Sequence, residues 1–491
     1  MGAFKVTLSI FALPLVLWSG AVQAASLEEA AAALGASNTK SIEFSAHGHW
    51  FQFGQAPRPG DQWPQFDVSS YRADIDFESG SADVDIVRKQ AIDPKRNRPA
   101  PVEQHVEQLV NGQSAWSLTD PPAGSPPDAP RVVTGQRPAV EERLAEIWAT
   151  PQGFVKAALA HGAQSKPARK GIEVSFSIDG KHRYVGHINA RNQVDKIKTW
   201  VDSPVLGDTE VETSFSDYKD FDGVPFPAQI IRVQGGHPVL ALAVSAVRAN
   251  PTVNSSVPPE VANQAPAPVL SAKLAEGVFY LTGGTHHSVA IEQKDHVVLV
   301  EAPLNEQRSL DLIAKIREII PDKPIRFVIA SHVHFDHSGG LRTFVAQGAT
   351  IVAHKLDKPF FEKAWRNPHT LNPDQLATSP VPAKFQTYDD KTVLSDGNRK
   401  IEVHLIKGSG HSDDLALVYL PAEKILVEAD AYTPTAANLP PPATPNPYSV
   451  NLYDNIQRLN LDVAQIAALH GPRVATLNDL RAAIGKVATA Q

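Results

Sequence analysis

The sequence predicts a mainly antiparallel β domain with one or two helices, followed by an α/β domain. Alternating polar and apolar residues in the first half are typical of half-buried hairpins. A proline-rich stretch at residues 251–269 has the composition of a semi-rigid linker. In the second half, several short apolar runs each end in a histidine or an aspartate. We therefore expect domains at residues 26–250 and 270–491.

The first residues have the pattern of an export signal. Lys5 precedes an apolar run from Val6 to Trp18, and small residues surround a cleavage point after Ala24. The apolar run is short for a membrane span, which needs about 20 residues. We expect residues 1–24 to be a cleaved signal peptide, the protein to be exported to the periplasm or secreted, and no stable membrane insertion.

Hairpin patterns predict the β structure of the N-terminal domain. The runs 71–77 and 82–87 alternate around Ser79-Gly80, while Asn111-Gly112 and Asp179-Gly180 are hairpin turn dipeptides. Residues 140–163 have a helical pattern in which Pro151 suits a first helical turn. Residues 215–227 resemble a strand–turn–strand passage of periplasmic lipoprotein-carrier-like half-barrels. The role of this domain stays open.

The amino-acid composition excludes several kinds of chemistry and of binding partner. The 491 residues include no cysteine, which excludes disulfides, thiolate metal ligands and cysteine nucleophiles. The net charge of -7 gives no basic footprint for nucleic acid. We expect a small molecule as the partner, and the sequence leaves the oligomeric state open.

One cluster in the second domain carries the chemistry: His332-Val-His334-Phe-Asp336-His337, directly after the apolar run 325–330. Imidazole and carboxylate together suit borderline cations such as zinc when thiolate is absent. Three further apolar runs lead to His411, Asp430 and His470. Because loops beyond strand ends gather at one edge of a sheet, these residues are expected to meet the cluster.

On these residues, the chain from 270 to 491 resembles the metallo-β-lactamase fold superfamily, whose motif is His-x-His-x-Asp-His followed by His, Asp and His. The resemblance implies an αββα sandwich with two metal ions, expected to be zinc, with iron or manganese left open. One ion would be held by His332, His334 and His411. The second would be held by Asp336, His337 and His470, with Asp430 bridging the two.

The resemblance also implies a hydrolase in which a metal-bridging hydroxide cleaves an ester, lactone, thioester or amide bond. Asp336 is the expected catalytic residue, since it can orient the nucleophile or shuttle its proton. Glu301 stands where the family has an acid, whereas Ser412-Asp413-Asp414 replaces the usual Thr-Pro-Gly. Candidate substrate contacts are His286, His287, Tyr432 and Tyr448.

Three alternatives stay open. A β-lactamase would use the same metal chemistry, although no residue for a β-lactam carboxylate can be identified. A non-haem iron oxidoreductase of sulfur compounds would use the same fold. A ligand-binding or sorting protein would instead rely on the N-terminal sheet. Metal analysis and a substrate panel separate them.

Overall fold

The computed structural model describes residues 2, 25–121, 125–126 and 128–486. The predicted signal peptide, residues 1–24, lies outside the described residues apart from residue 2. None of the helices in the described part of the chain has both the length and the apolar character needed to cross a membrane.

A thirteen-stranded antiparallel sheet occupies the first half of the chain. Its strands are β1 (Ser41–Phe51), β2 (Gln65–Asp76), β3 (Ser81–Gln90), β4 (Glu103–Asn111), β5 (Ser114–Thr119), β6 (Val132–Gly135), β7 (Gln164–Ala168), β8 (Gly171–Ile178), β9 (His182–Asn189), β10 (Val194–Ser203), β11 (Gly207–Phe221), β12 (Val224–Gln234) and β13 (His237–Ala249). Pairing of β1 with β13 joins the two runs of hairpins into one sheet.

Within the part of the chain that the structure describes, three short α-helices accompany this sheet, where the sequence predicted one or two. They are α1 (Leu27–Ala33), α2 (Val140–Trp148) and α3 (Pro151–Ala160). The last two confirm the predicted helical segment, and the Thr150 side chain caps α3 ahead of Pro151. Buried residues of all three helices and of the strands form one apolar cluster, so the helices lie on one face of the sheet.

The turns follow the residues that the sequence supplies. Asp179 and Gly180 both have positive φ, at 53° and 67°, which the tight turn between β8 and β9 requires. Within the proline-rich segment 251–269, a single helical turn forms α4 (Pro259–Ala262).

The second half of the chain contains two further sheets. Seven strands form one: β14 (Leu270–Ala275), β15 (Val278–Thr282), β16 (Ser288–Glu292), β17 (Val297–Val300), β18 (Ile325–Ile329), β19 (Thr350–His354) and β20 (Lys384–Tyr388). Six form the other: β21 (Lys391–Ser395), β22 (Lys400–Leu405), β23 (Ala416–Leu420), β24 (Ile425–Glu428), β25 (Gln465–Ala468) and β26 (Ala475–Thr476). The helices are α5 (Glu306–Ile319), α6 (Phe335–Ser338), α7 (Leu341–Ala346), α8 (Asp357–Ala364), α9 (Gln375–Thr378), α10 (Pro447–Arg458) and α11 (Leu477–Ala483).

The two sheets share a core. Buried residues of β15 to β19 and of β22 to β25 belong to one apolar cluster. A second cluster joins the other face of the seven-stranded sheet to α5, α7 and α8. The strands β17 to β20 run parallel, as do β24 and β25, so the loops that follow their carboxyl ends emerge at a common edge.

Candidate metal centre

The seven predicted ligands come from loops at the ends of these strands. His332 and His334 follow β18 directly, and Asp336 and His337 lie on the one-turn helix α6. His411 lies between β22 and β23, whereas Asp430 and His470 follow β24 and β25. The chain therefore brings together residues up to 138 positions apart, as the strand-then-ligand pattern predicted.

Asp430 stands at the centre of the group. Its Oδ2 lies 3.2 Å from Nε2 of His332, 3.1 Å from that of His337 and 3.0 Å from that of His411. Its Oδ1 lies 3.0 Å from Nε2 of His470. One carboxylate thus faces ligands from both predicted metal positions, as a bridging ligand must.

The remaining two ligands complete two clusters. Nδ1 of His334 lies 3.0 Å from Nε2 of His411. Oδ2 of Asp336 lies 3.7 Å from Nε2 of His337, which is 3.1 Å from Nε2 of His470. Potential ligand atoms within 4.8 Å of one another form two groups: His332, His334, His411 and Asp430; and His286, Asp336, His337 and His470.

The outward-facing nitrogens of four histidines are held by oxygen atoms. Nδ1 of His332 lies 2.9 Å from Oγ of Ser331, and Nδ1 of His337 lies 3.1 Å from Oε2 of Glu301. Nε2 of His334 lies 3.0 Å from the carbonyl of Ala56, and Nδ1 of His470 lies 3.1 Å from that of Thr285. Such partners fix the tautomer and orientation of metal-binding imidazoles, and leave the inward nitrogens free to ligate.

This donor set fits divalent cations. An imidazole nitrogen carries at most one proton, yet Nε2 of His411 lies within 3.3 Å of two other imidazole nitrogens and of Asp430. Five inward nitrogens and two carboxylates, all largely buried, pair more completely through a cation than through protons. The chemistry of these donor atoms therefore suits zinc or a similar ion.

The charges in the cluster act on one another. Burial alone would raise the pKa of Asp430, but His337 and His411 hold that pKa well below its usual range. Burial, together with His332 and His411, lowers the pKa of His334 well below that of an ordinary histidine. Asp430 is thereby held in the ionised form, and His334 in the neutral form, in which each side chain can bind metal.

Glu301 supports the cluster from below. It is fully buried at the end of β17, has a positive φ of 77°, and accepts a hydrogen bond from Oγ of Ser331 as well as lying against His337. A non-glycine residue persists at positive φ when its surroundings fix it. The acid that the sequence singled out therefore contacts one ligand directly and a second through Ser331.

The four candidate substrate contacts lie in different surroundings. His286 is next to the centre, with Nε2 3.2 Å from Oδ2 of Asp336. His287 is buried, and its Nε2 lies 2.8 Å from the carbonyl of Gly471. Tyr432 is buried, which raises its pKa to about 12. The half-exposed Tyr448 places its ring 5.5 Å from that of His411.

Two contacts from the N-terminal half were not predicted from the sequence. Gln55 donates from Nε2 to Oδ1 of Asp336 at 2.7 Å, across 281 positions of sequence, and Ala56 contacts His334 as described. An isolated glutamine in a loop has no motif, so no signal within the chain identifies it.

Comparison with known proteins agrees with the site. The model of the metallo-beta-lactamase superfamily matches residues 281–454, which confirms the predicted resemblance of the C-terminal half. The chain is 27% identical over 131 residues to a metallo-beta-lactamase type 2 from Elizabethkingia meningoseptica, covering 27% of this chain and 46% of that protein. The C-terminal half thus carries a metallo-β-lactamase-fold domain.

A second relative is the 2,4-dinitroanisole O-demethylase subunit alpha of Nocardioides sp. (strain JS1661), 22% identical over 165 residues, with 33% of this chain and 47% of that one covered. The chain spans about half the length of these two relatives. Among solved structures, the metallo-beta-lactamase from Pontibacter korlensis has a TM-score of 0.34 and 17% identity, over 45% of this chain and all of that one. That from Hirschia baltica has a TM-score of 0.33 and 21% identity, over 44% and 96%.

Proposed function

We propose that this protein is an exported hydrolase with two zinc ions in an αββα sandwich, cleaving an ester, lactone, thioester or amide bond of a small molecule. The observation that supports this most is the convergence of the other six predicted ligands around Asp430. Four of the five histidines among them also have their outward nitrogens held by oxygen atoms.

In this proposal, one ion is held by His332, His334 and His411, and the other by Asp336, His337 and His470, with Asp430 between them. Such a pair of ions supplies a water of lowered pKa and a positive charge for the oxyanion that develops. No nucleophile from the chain is then required.

The residues around the ions have separate tasks. Asp336 offers Oδ2 toward the second ion, so it can orient the attacking water and accept its proton. His286, 3.2 Å from that same oxygen, is placed to take the proton onward or to donate it to a leaving group. Tyr448, beside His411, is placed to donate a hydrogen bond to a substrate oxygen.

The cavity described in the N-terminal domain does not favour ligand capture. The N-terminal sheet and helices enclose a cavity of about 40 Å³ beside Tyr71, Arg143 and Arg232. Pockets for small-molecule ligands measure roughly 300–1,000 Å³. This cavity has room for a few water molecules.

The test is hydrolysis by the mature protein across lactone, thioester, aryl ester, phosphodiester and β-lactam substrates, with an aryl methyl ether added because one relative is named as an O-demethylase subunit. Each assay is run as isolated, after chelation, and after zinc is restored. Asp430→Ala should abolish activity, whereas His47→Ala, at an exposed histidine of β1, should leave it unchanged. Protein with two bound zinc ions and no activity on any substrate would overturn the proposal.

A further inference from the structure

Two loops of the N-terminal sheet reach the candidate metal centre. The 52–64 loop joins β1 to β2, and the 91–102 loop joins β3 to β4. Since β1 to β4 are consecutive neighbours in the sheet, both loops leave the same end of adjacent hairpins.

Three consecutive residues of the 52–64 loop hold three consecutive residues of the metal-binding motif. The carbonyl of Gly54 accepts a hydrogen bond from the backbone N–H of Phe335 at 3.2 Å. Gln55 donates to Oδ1 of Asp336, and the carbonyl of Ala56 lies 3.0 Å from Nε2 of His334. The loop therefore meets the motif residue by residue.

Apolar packing keeps this loop in place. The rings of Phe53 and Trp63 lie edge-on to Phe335, with centroids 5.3 and 5.7 Å away. Gly54 has a φ of 78°, and a Cβ there would come within 2.7 Å of the Phe335 ring. The backbone can approach the motif this closely because the residue is glycine.

The 91–102 loop holds the segment that carries His411. Arg96 forms an ion pair with Asp413 at 2.8 Å, and Nε of Arg98 donates to the carbonyl of Gly410 at 3.1 Å. The N–H of Asp413 also donates to the carbonyl of Pro57, in the 52–64 loop, at 2.9 Å. Both loops thus contact this segment.

These contacts decide which atoms are free to bind metal. With Nε2 of His334 held by Ala56, its Nδ1 is left as the ligand atom. With Oδ1 of Asp336 held by Gln55, its Oδ2 is left, and that oxygen faces His286 and His337. A carboxylate without this restraint can rotate or bind through both oxygens.

We propose that the N-terminal domain forms part of the metal centre, with Gln55 as a positioning residue for Asp336 and Arg96 as a positioning residue for the His411 segment. This rests on the proposed two-metal site. It gives the N-terminal domain a role that needs no ligand of its own: the loops preorganise ligands that α6 and the 406–415 segment carry.

The experiment measures zinc binding by the full mature chain, metal-free at the start, against a chromophoric competitor, together with the melting temperature of the metal-free protein. Gln55→Ala should lower the affinity for one of the two zinc ions by about 10- to 100-fold, which is the usual effect of losing a hydrogen-bond partner of a metal ligand. Gln52→Ala is the matched control, since this glutamine of the same loop has no side-chain hydrogen bond to the described residues.

A purely structural role would lower the melting temperature and weaken both ions together. Gln55→Ala should instead leave the metal-free melting temperature unchanged and affect the ion held by Asp336. Arg96→Gln should weaken binding of the other ion. Substitution of cobalt for zinc distinguishes the two sites by their absorption spectra. Wild-type affinities for both ions in Gln55→Ala, or equal losses at both sites in the two variants, would overturn the inference. A wild-type protein that binds no zinc would overturn the metal centre itself.

Discussion

Glu301→Gln most directly tests the contacts that hold the candidate metal centre. The substitution keeps the shape of the buried side chain and an oxygen that can accept from His337 at 3.1 Å and from Ser331. It removes the negative charge that makes the His337 imidazole a better ligand. Because Glu301 is fully buried, this charge is poorly screened by solvent.

The expected loss is about 10- to 100-fold in affinity for the ion held by His337. A tenfold change corresponds to about 1.4 kcal/mol, so the variant should lose roughly 1.4–2.8 kcal/mol of binding free energy. At saturating zinc, the stabilisation that binding adds to the folded state should fall by the same amount. Zinc titration against a competitor and denaturation with and without zinc measure the two quantities independently.

Glu402→Gln is the control, since Oε2 of Glu402 lies 2.9 Å from Nε2 of His404, away from the metal centre. It repeats the loss of a glutamate–histidine contact without touching a ligand, so zinc affinity should stay at the wild-type value. Equal zinc affinity in Glu301→Gln and Glu402→Gln would refute the reasoning.

Three further predictions concern stability and the site. Arg342 and Asp374 form a buried ion pair, with side chains 4% and 13% exposed. Arg342→Met leaves the Asp374 carboxylate unpaired and should lower the free energy of unfolding, measured by urea denaturation, by about 3–5 kcal/mol. Burial and Glu107 raise the pKa of Asp83 to about 7. The free energy of unfolding should therefore fall by up to about 1.4 kcal/mol per pH unit as pH rises from 4 to 7. Thermal melts across that pH range should show a smaller fall in Asp83→Asn. Tyr448→Phe should lower kcat/KM about tenfold with both zinc ions still bound.

The sequence predicts the candidate ligands because their pattern is local. Each candidate ligand follows a short apolar run, and those runs form β18, β22, β24 and β25. Parallel pairing of β24 with β25 then places Asp430 and His470 at one edge. The meeting of the ligands therefore follows from rules that a single chain displays.

The partners of the ligands follow no such rule. Ser331 directly precedes His332 in the sequence, and Glu301 stands where the resembled family has an acid, so these two residues could be expected near the site. Gln55 and Arg96 are ordinary polar residues in loops, and their contacts join positions 281 and 317 apart. Whether such loops touch the second domain depends on how two separately built cores dock, and hydrophobic periodicity describes each core alone.

The docking is itself held at more than one place. Asp208 pairs with Asp202 next to the turn that joins β10 to β11. It accepts hydrogen bonds from the N–H groups of Thr370 and Leu371 at 2.9 and 3.0 Å. The backbone N–H of Asp208 also donates to the carbonyl of Pro368 at 2.7 Å. The N-terminal sheet and its loops thus contact the second half of the chain both at the candidate metal centre and at the segment 368–371.

Two separated attachments restrain rotation, which a single attachment would permit. Ligand geometry in a metal centre must be held within about 0.5 Å, and residues on rigid elements achieve this better than residues on free loops. The segment carrying His411 is a loop, but Arg96 and Arg98 tie it to a thirteen-stranded sheet. A loop ligand acquires in this way the rigidity of a sheet from the other half of the chain.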